Sequence, residues 1–315
     1  MHKVCLGYAC LNTKLRVQKP SVFASRTCRL DTLKTKGIQH VYNLVSQNLQ
    51  DLKKILKWNY DNNIFLYRMS SEMFPFATHL DYYKTFDLSQ FTDDFKEIGE
   101  LAKLYKQRLT FHPGQFTQLS SHRDEVVEKS VIEVDFHAHV MDLMNIDEHG
   151  VIILHGGSKN GGKEKALERF VNSYQKLSDS SKRRLVLENC EMCYSIEDLL
   201  PTCHLLDIPL VVDFHHHNIY KGTIKNEEEL FDIILKEVFP IWEKKSIRPK
   251  FHLSESREGV TEADTITARR AHSDYITKIP DIIYKLQAHF DFDLMIEAKQ
   301  KEDAVLKIKW ENQEK

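Results

Sequence analysis

Eight short apolar runs, each followed by a longer stretch with helical periodicity, limit what this chain folds into more than any other feature of it. The runs occupy residues 3–8, 63–69, 108–112, 151–155, 184–188, 209–213, 250–253 and 293–297. Val151-Ile152-Ile153-Leu154 and Leu210-Val211-Val212 lack polar alternation, as expected of strands covered on both faces in a parallel sheet. Between the runs, apolar side chains recur on single helical faces. Phe91, Phe95, Ile98, Ala102 and Tyr105 mark one; Val127, Val131, Val134, Ala138 and Met141 a second. Leu167, Phe170, Val171 and Tyr174 mark a third, and Phe231, Ile234, Leu235, Val238, Ile241 and Trp242 a fourth. Eight β–α alternations in 315 residues predict an α/β fold, a single (β/α)8 TIM-barrel domain over residues 1–315 rather than an open sheet. Pro280 is expected to interrupt the seventh helix, and the eighth, with its tail over residues 302–315, is weakly patterned.

The charge balance narrows the function. A net charge of −2 excludes binding of nucleic acid by overall basicity, though not by a local basic strip around a site whose cations add positive charge. The six cysteines have no framework spacing. Cys190-x-x-Cys193 has no second pair at zinc-ribbon distance, so it reads as two ordinary thiols. The opening residues lack the features of a secretory leader, and no apolar run approaches bilayer length. The expectation is a soluble, intracellular protein with reduced thiols, no membrane association and no obligate protein partner.

Chemistry concentrates where the strands end. The third ends in Phe111-His112-Pro113-Gly114-Gln115, the fourth in Leu154-His155-Gly156-Gly157 and the fifth in Leu187-Glu188-Asn189. The sixth ends in Val212-Asp213-Phe214-His215-His216-His217, the seventh in Lys250-Phe251-His252-Leu253-Ser254 and the eighth in Ile296-Glu297. In a parallel barrel these ends converge on one mouth, the face where such folds place their active sites. A lone histidine there is ordinarily a hydrogen-bonded structural residue. Six successive strands ending on His, Asp or Glu fit that reading poorly, because crowded carboxylates repel and resist ionisation unless cations offset them. Imidazole with carboxylate is a donor set for Zn, Mn or Fe.

Within the cluster, Asp213 and His216 straddle a strand end and can both turn to the mouth, whereas His215 and His217 read as solvated or supporting imidazoles. Lys250 and His252 share strand parity. A lysine at the inner rim needs an acidic partner, or must lose its charge; a plain salt bridge and a lysine carbamylated by carbon dioxide both satisfy the pattern. Gly157-Ser158-Lys159-Asn160-Gly161-Gly162-Lys163-Glu164 nearly matches a P-loop, but Glu164 stands where a Ser or Thr should hold Mg²⁺. It reads either as a flexible loop or as a backbone-phosphate site at a helix start.

These motifs, with Gly7-Tyr8-Ala9-Cys10-Leu11-Asn12, Arg68-Met69-Ser70-Ser71 and His272-Ser273-Asp274-Tyr275, resemble the UV damage endonuclease family. That family shares a barrel superfamily with endonuclease IV and the xylose-isomerase-like enzymes. The resemblance runs from about residue 3 to Glu297 and is specific as a set. It implies up to three divalent ions, manganese foremost and zinc or magnesium as substitutes. His112, His155 and Glu188 would hold one. Glu188 would bridge to a second, held with Asp213, His252 and Glu297. His216 and His272 would serve a third, near Lys250, a position where family members can carry a modified lysine. Glu188, Asp213, Lys250, His252 and Glu297 are thereby the candidate catalytic residues. Gln115 and Phe116 match residues that probe the duplex at the lesion, with phenylalanine where tyrosine is also familiar. Tyr8 and Asn12 match residues that contact the damaged strand.

The implied activity is hydrolysis of the phosphodiester 5′ to a photoproduct in double-stranded DNA. An abasic-site endonuclease would use nearly the same ligands, and so would a metal-dependent sugar isomerase or epimerase. The Gln115-Phe116 tip and the Tyr8/Asn12 loop favour a nucleic-acid substrate over a sugar. A non-catalytic damage-binding module would not need several hydrolytic cations.

Overall fold

A computed structural model describes residues 2–313, with side chains through Ile308. All eight expected strands form: β1 (Val4–Ala9), β2 (Leu66–Arg68), β3 (Arg108–Thr110), β4 (Ile152–His155), β5 (Leu185–Glu188), β6 (Leu210–Val211), β7 (Lys250–Leu253) and β8 (Phe292–Ile296). Every pairing is parallel, in the order β3-β2-β1-β8-β7 on one side and β4-β5-β6 on the other. Single bridges span the two gaps, Phe111 to Ile152 and Asp213 to His252. The ring therefore closes into a (β/α)8 barrel, which removes the exposed edges an open sheet would leave. Strands β4 and β5 are buried on both faces, matching their unbroken apolar sequence.

The outer layer contains α1 (Ile38–Asp61), α2 (Thr92–Leu104), α3 (Asp124–Leu143), α4 (Lys163–Tyr174), α5 (Ile196–Leu206), α6 (Glu227–Ile233), α7 (Asp281–Gln287) and α8 (Lys301–Gln313). Their apolar stripes face inward: Phe95, Ile98 and Ala102 on α2, and Val127, Val134, Ala138 and Met141 on α3. A Ser195–Asp198 capping box starts α5 and fixes where the chain leaves β5. None of the described helices is long and apolar enough to cross a membrane.

Three details depart from simple periodicity. The helical run from α6 passes through a π-helical turn at Ile234–Val238 before continuing over Phe239–Lys244. Pro240 follows that turn; it has no N–H and its ring crowds the preceding carbonyls, so the wider turn absorbs the misfit. Pro280 does not interrupt a helix. It caps the start of α7, where its fixed φ of −59° and missing N–H cost nothing. The weak stripe of α8 is supplemented by a polar anchor: buried Glu302 accepts the Thr13 and Lys14 N–H groups, both at 2.8 Å, and the Thr13 hydroxyl at 2.5 Å.

Candidate metal centre

The strand ends gather His112, His155, Glu188, Asp213, His216, His252 and Glu297 at the barrel mouth. They form three linked donor groups: His112, His155 and Glu188; Glu188, Asp213 and His216; Asp213, His252 and Glu297. Within each group the potential ligand atoms lie within 4.8 Å of one another. Glu188 and Asp213 each belong to two groups, so the three are contiguous.

Glu188 is the hub. One carboxylate oxygen lies 2.9 Å from His112 Nε2; the other lies 3.1 Å from His252 Nδ1 and 3.5 Å from His216 Nδ1. Asp213 caps the short helix Phe214–Ile219, its Oδ1 accepting the His216 N–H at 2.7 Å. This cap folds His216 back toward Glu188, where His216 Nδ1 also meets the Asn189 carbonyl at 3.1 Å. Asn189 pins the neighbouring strand end by bonding both the N–H and the carbonyl of Asp213, at 2.8 and 3.0 Å. Gly157, at φ +82°, lets the chain leave β4 beside Ser120; a Cβ there would lie 2.6 Å from its hydroxyl.

The electrostatics suit cations. Burial alone would raise the Glu188 carboxyl, but His252, His155 and the bonds to His112 and His252 hold it well below the ordinary range. Burial likewise opposes ionisation of Glu297, and Arg68 followed by His252 holds it well below that range. Asp213 Oδ2 and His155 Nδ1 are buried without a hydrogen-bond partner, an expensive arrangement unless a ligand satisfies them. Orphaned donors inside nested His and carboxylate groups fit divalent cations.

Histidine protonation gives a measurable signature. Burial pulls His216 down, but Asp213, Glu188, Glu191 and Glu297 outweigh it and raise the pKa to about 9. Without cations His216 is therefore protonated at pH 7.5, and it must lose that proton to become a ligand. Calorimetric titration of the cation-free protein at this pH is expected to release about one proton per protein from His216. The observed enthalpy should then vary with the buffer's ionisation enthalpy; no such variation would contradict the assignment. His112 behaves oppositely, with burial lowering it to about 4 despite Glu188. Between its ordinary value of 6.5 and about 4, the unfolded chain binds the proton and the folded one does not. That contribution to cation-free stability is accordingly lost as pH falls through this window.

Lys250 is fully buried, with Nζ 2.6 Å from His252 Nε2, and forms no ion pair among the described residues. Burial, with Arg68 and Arg108 nearby, pushes its pKa down to about 7. The plain salt bridge allowed by the sequence is therefore absent. Arg68, to which the sequence motifs assign no role, ion-pairs with Glu297. Its place at the end of β2, on the same rim, is the signal available for it.

His272 belongs to none of the three groups among the described residues; its ring lies 6.1 Å from that of His215, and it helps hold the Glu297 carboxyl down. Other expectations require correction. Tyr8 and Asn12 are both fully buried and cannot present a surface to DNA in this arrangement. The Tyr8 hydroxyl donates to Asn59 at 2.6 Å and accepts from Asn12 at 2.9 Å, while Asn12 caps the helix Thr13–Arg16. They brace the β1 exit from inside. His215 and His217 are buried rather than solvated, and His215 Nε2 meets the Arg269 carbonyl at 3.0 Å. In the glycine loop, Lys163 is bound to Asp198 at 2.5 Å and Tyr220 at 2.6 Å, which takes its charge from any phosphate site. Cys190 and Cys193 are free thiols and enter no ligand group among the described residues.

Gln115 and Phe116 lie on a turn closed by the Thr117 N–H to the Gly114 carbonyl at 2.9 Å. Phe116 is 81% exposed. Beside them is a cavity of about 290 Å³ whose walls include His155, Cys190, Met192 and Arg270.

Comparison with known proteins agrees with this architecture. A UV-damage endonuclease of Schizosaccharomyces pombe is 42% identical over 96% of this chain, which spans about half the length of that relative. A putative UV-damage endonuclease of Acanthamoeba polyphaga mimivirus is 36% identical, with 96% of this chain and 89% of the relative covered. The crystal structure of SacUVDE superposes with a TM-score of 0.82 at 29% identity, covering 99% of both chains. The family model described as UV-endonuclease UvdE matches residues 4–314, and the chain belongs to that family.

Proposed function

We propose that this chain is a DNA-repair endonuclease that hydrolyses the phosphodiester immediately 5′ to a UV photoproduct in double-stranded DNA, using up to three divalent cations, with manganese the first choice. The observation that carries the reading is the contiguous run of three donor groups at the mouth beside an exposed Gln115-Phe116 tip. His112, His155 and Glu188 would hold one cation; Glu188, Asp213 and His216 another; Asp213, His252 and Glu297 a third. Bound there, divalent cations lower the pKa of coordinated water and offset charge developing on the departing 3′ oxygen.

The chain's own groups set up that chemistry. Glu188 and Asp213 span adjacent groups and fix their spacing. Arg68 orients Glu297, and Asn189 locks the β5 and β6 ends together. Lys250, held near neutrality beside His252, is the group able to react with carbon dioxide: its amine forms an N–C bond, releases a proton and becomes a carboxylate. Intact mass under gentle, near-neutral conditions should report the added carbon dioxide and its loss after acid treatment. An unmodified mass throughout would refute the carbamate.

Lesion choice follows from unstacking. A cyclobutane dimer stacks and pairs poorly, so extruding it costs less than extruding normal bases. The Gln115 amide and Phe116 ring fill the gap, while the adjacent cavity takes the extruded side. Changing both Gln115→Ala and Phe116→Ala is expected to lower kcat/KM on damaged duplex roughly 5- to 150-fold, from about 1–3 kcal/mol of lost stacking. Cation content should stay unchanged; equal losses of both would overturn this division of labour.

The deciding assay compares supercoiled plasmid with and without UV irradiation, with Mn²⁺ or chelator, and an abasic plasmid alongside. Mn²⁺-dependent nicking confined to the irradiated plasmid supports the reading. Nicking confined to the abasic plasmid sinks it in favour of abasic-site cleavage, and no nicking of any plasmid sinks both.

A further inference from the structure

We propose that the connection between β1 and α1, residues 10–37, is a preformed track for the phosphate backbone of duplex DNA. The inference rests on the functional reading above and adds a binding surface to it. Residues 13–37 contain Lys14, Arg16, Lys19, Arg26, Arg29, Lys34 and Lys36 against one acid, Asp31. This segment therefore carries +6 in a chain of net −2, which leaves −8 on everything else. The local basic strip that the overall charge permits is concentrated here.

Its position is fixed by topology. The connection leaves β1 at the end that faces the metal centre. Thr13 and Lys14 are bonded to Glu302, which starts the helix following the ligand Glu297. It lies two strands round the ring from the Gln115-Phe116 turn, about 10 Å at the strands themselves, within reach of one duplex.

The segment is built, not loose. Buried Asn48 of α1 accepts the Arg26 N–H at 2.8 Å and donates to the Arg26 and Met73 carbonyls at 3.1 and 2.9 Å. Asp51 accepts the Phe23 N–H at 3.1 Å and the Arg26 guanidinium at 2.7 Å. Arg26 is thereby committed to the fold, and Lys14 pairs with Asp303 at 2.6 Å. Arg16, Lys19, Arg29, Lys34 and Lys36 are exposed and form no ion pair among the described residues. On α1 itself, by contrast, Lys53 pairs with Asp94 and Lys57 with Asp61. Five unpaired cations on an ordered scaffold beside the mouth complement a polymer bearing one negative charge per roughly 1.7 Å of axis.

The test is fluorescence anisotropy of labelled duplexes, irradiated and not, titrated with protein in chelator across a salt series. A variant with Lys19→Ala, Arg29→Ala, Lys34→Ala and Lys36→Ala is expected to flatten the log affinity against log salt slope. The change should be about 0.9 for each phosphate no longer neutralised, up to about 3.6. Both duplexes should weaken by the same factor, and with cations restored KM should rise at constant kcat. Lys19→Arg, Lys34→Arg and Lys36→Arg together should keep the wild-type slope. If the fourfold variant melts early, single Lys19→Ala and Arg29→Ala variants decide, each flattening the slope by about 0.9. An unchanged slope in a folded variant overturns the track, while wild-type nicking of irradiated DNA would leave the endonuclease reading standing. A flattened slope with no wild-type nicking removes the endonuclease reading and keeps the track as a DNA-binding surface.

Discussion

In a Glu188→Gln variant, nicking of UV-irradiated plasmid is expected to fall by at least about 10²-fold, together with the loss of bound cation. The substitution preserves shape and removes one charge from a carboxylate that sits 1% exposed and belongs to two of the three donor groups. Removing one partner from a buried charged cluster costs about 3–5 kcal/mol, or roughly 10²- to 10³-fold and more in an equilibrium. Because Glu188 is shared, the loss reaches two adjacent groups at once. Glu191 provides the control. It is also a buried acid, 3.7 Å from His216 Nε2, but it belongs to none of the three groups. Glu191→Gln is expected to cost no more than about 10- to 100-fold, the range for groups that orient a ligand from behind. Metal analysis of both purified variants, with plasmid nicking, is the measurement. Wild-type cation content in Glu188→Gln would end the assignment of Glu188 as hub.

Asp293→Ala should have its largest effect on stability instead. Asp293 lies at the opposite end of β8 from Glu297, about 13 Å away at the rise of a strand. Its two oxygens hold Arg108 at 2.8 Å and Arg248 at 3.1 Å, and Arg108 also donates to the carbonyls of His149 at 2.6 Å and Arg248 at 2.8 Å. This network ties β3, β8 and the entry to β7 together at the base of the barrel. Deleting the only acid in it strands two arginines, at about 3–5 kcal/mol, and for a chain of this size should lower Tm by about 5–10 °C. Cation affinity of the molecules that remain folded should stay within about twofold of wild type, since the mouth is untouched. A variant with unchanged Tm and weakened cation binding would reverse the roles given to the two ends of the barrel.

The two acids of β8 show where sequence reading reaches its limit. Asp293 and Glu297 bound the same apolar run, and counting strand ends selects Glu297 correctly for the mouth. Nothing in the run itself reveals that Asp293 gathers Arg108 from β3 and Arg248 from before β7. The histidines repeat the lesson. His112, His155 and His252 lie on or immediately after strands, so the pleat and direction of the chain fix where they go. His215, His216 and His217 follow a strand in a tight helical turn, and the Asp213 cap decides which ring enters the centre. His272 lies in a long loop after β7, where strand period and polarity no longer fix its direction; it comes to rest 6.1 Å, ring to ring, from His215.

Tyr8 and Asn12 show the same limit for a role implied by resemblance alone. A motif match carries no information on burial, and long-range packing places Asn59 of α1 over the tyrosine hydroxyl. The sequence by itself determined the eight strands, their order of chemistry and the face on which six of them deliver potential metal donors, because period and strand polarity are local properties of the chain. Tertiary structure alone decided which loop side chains turn inward, that Glu188 and Asp213 are shared, and that Lys250 and five of the seven cations of residues 13–37 form no ion pair among the described residues. Those outcomes depend on which distant atoms compete for each donor, acceptor and charge, and that competition exists only once the ring has closed.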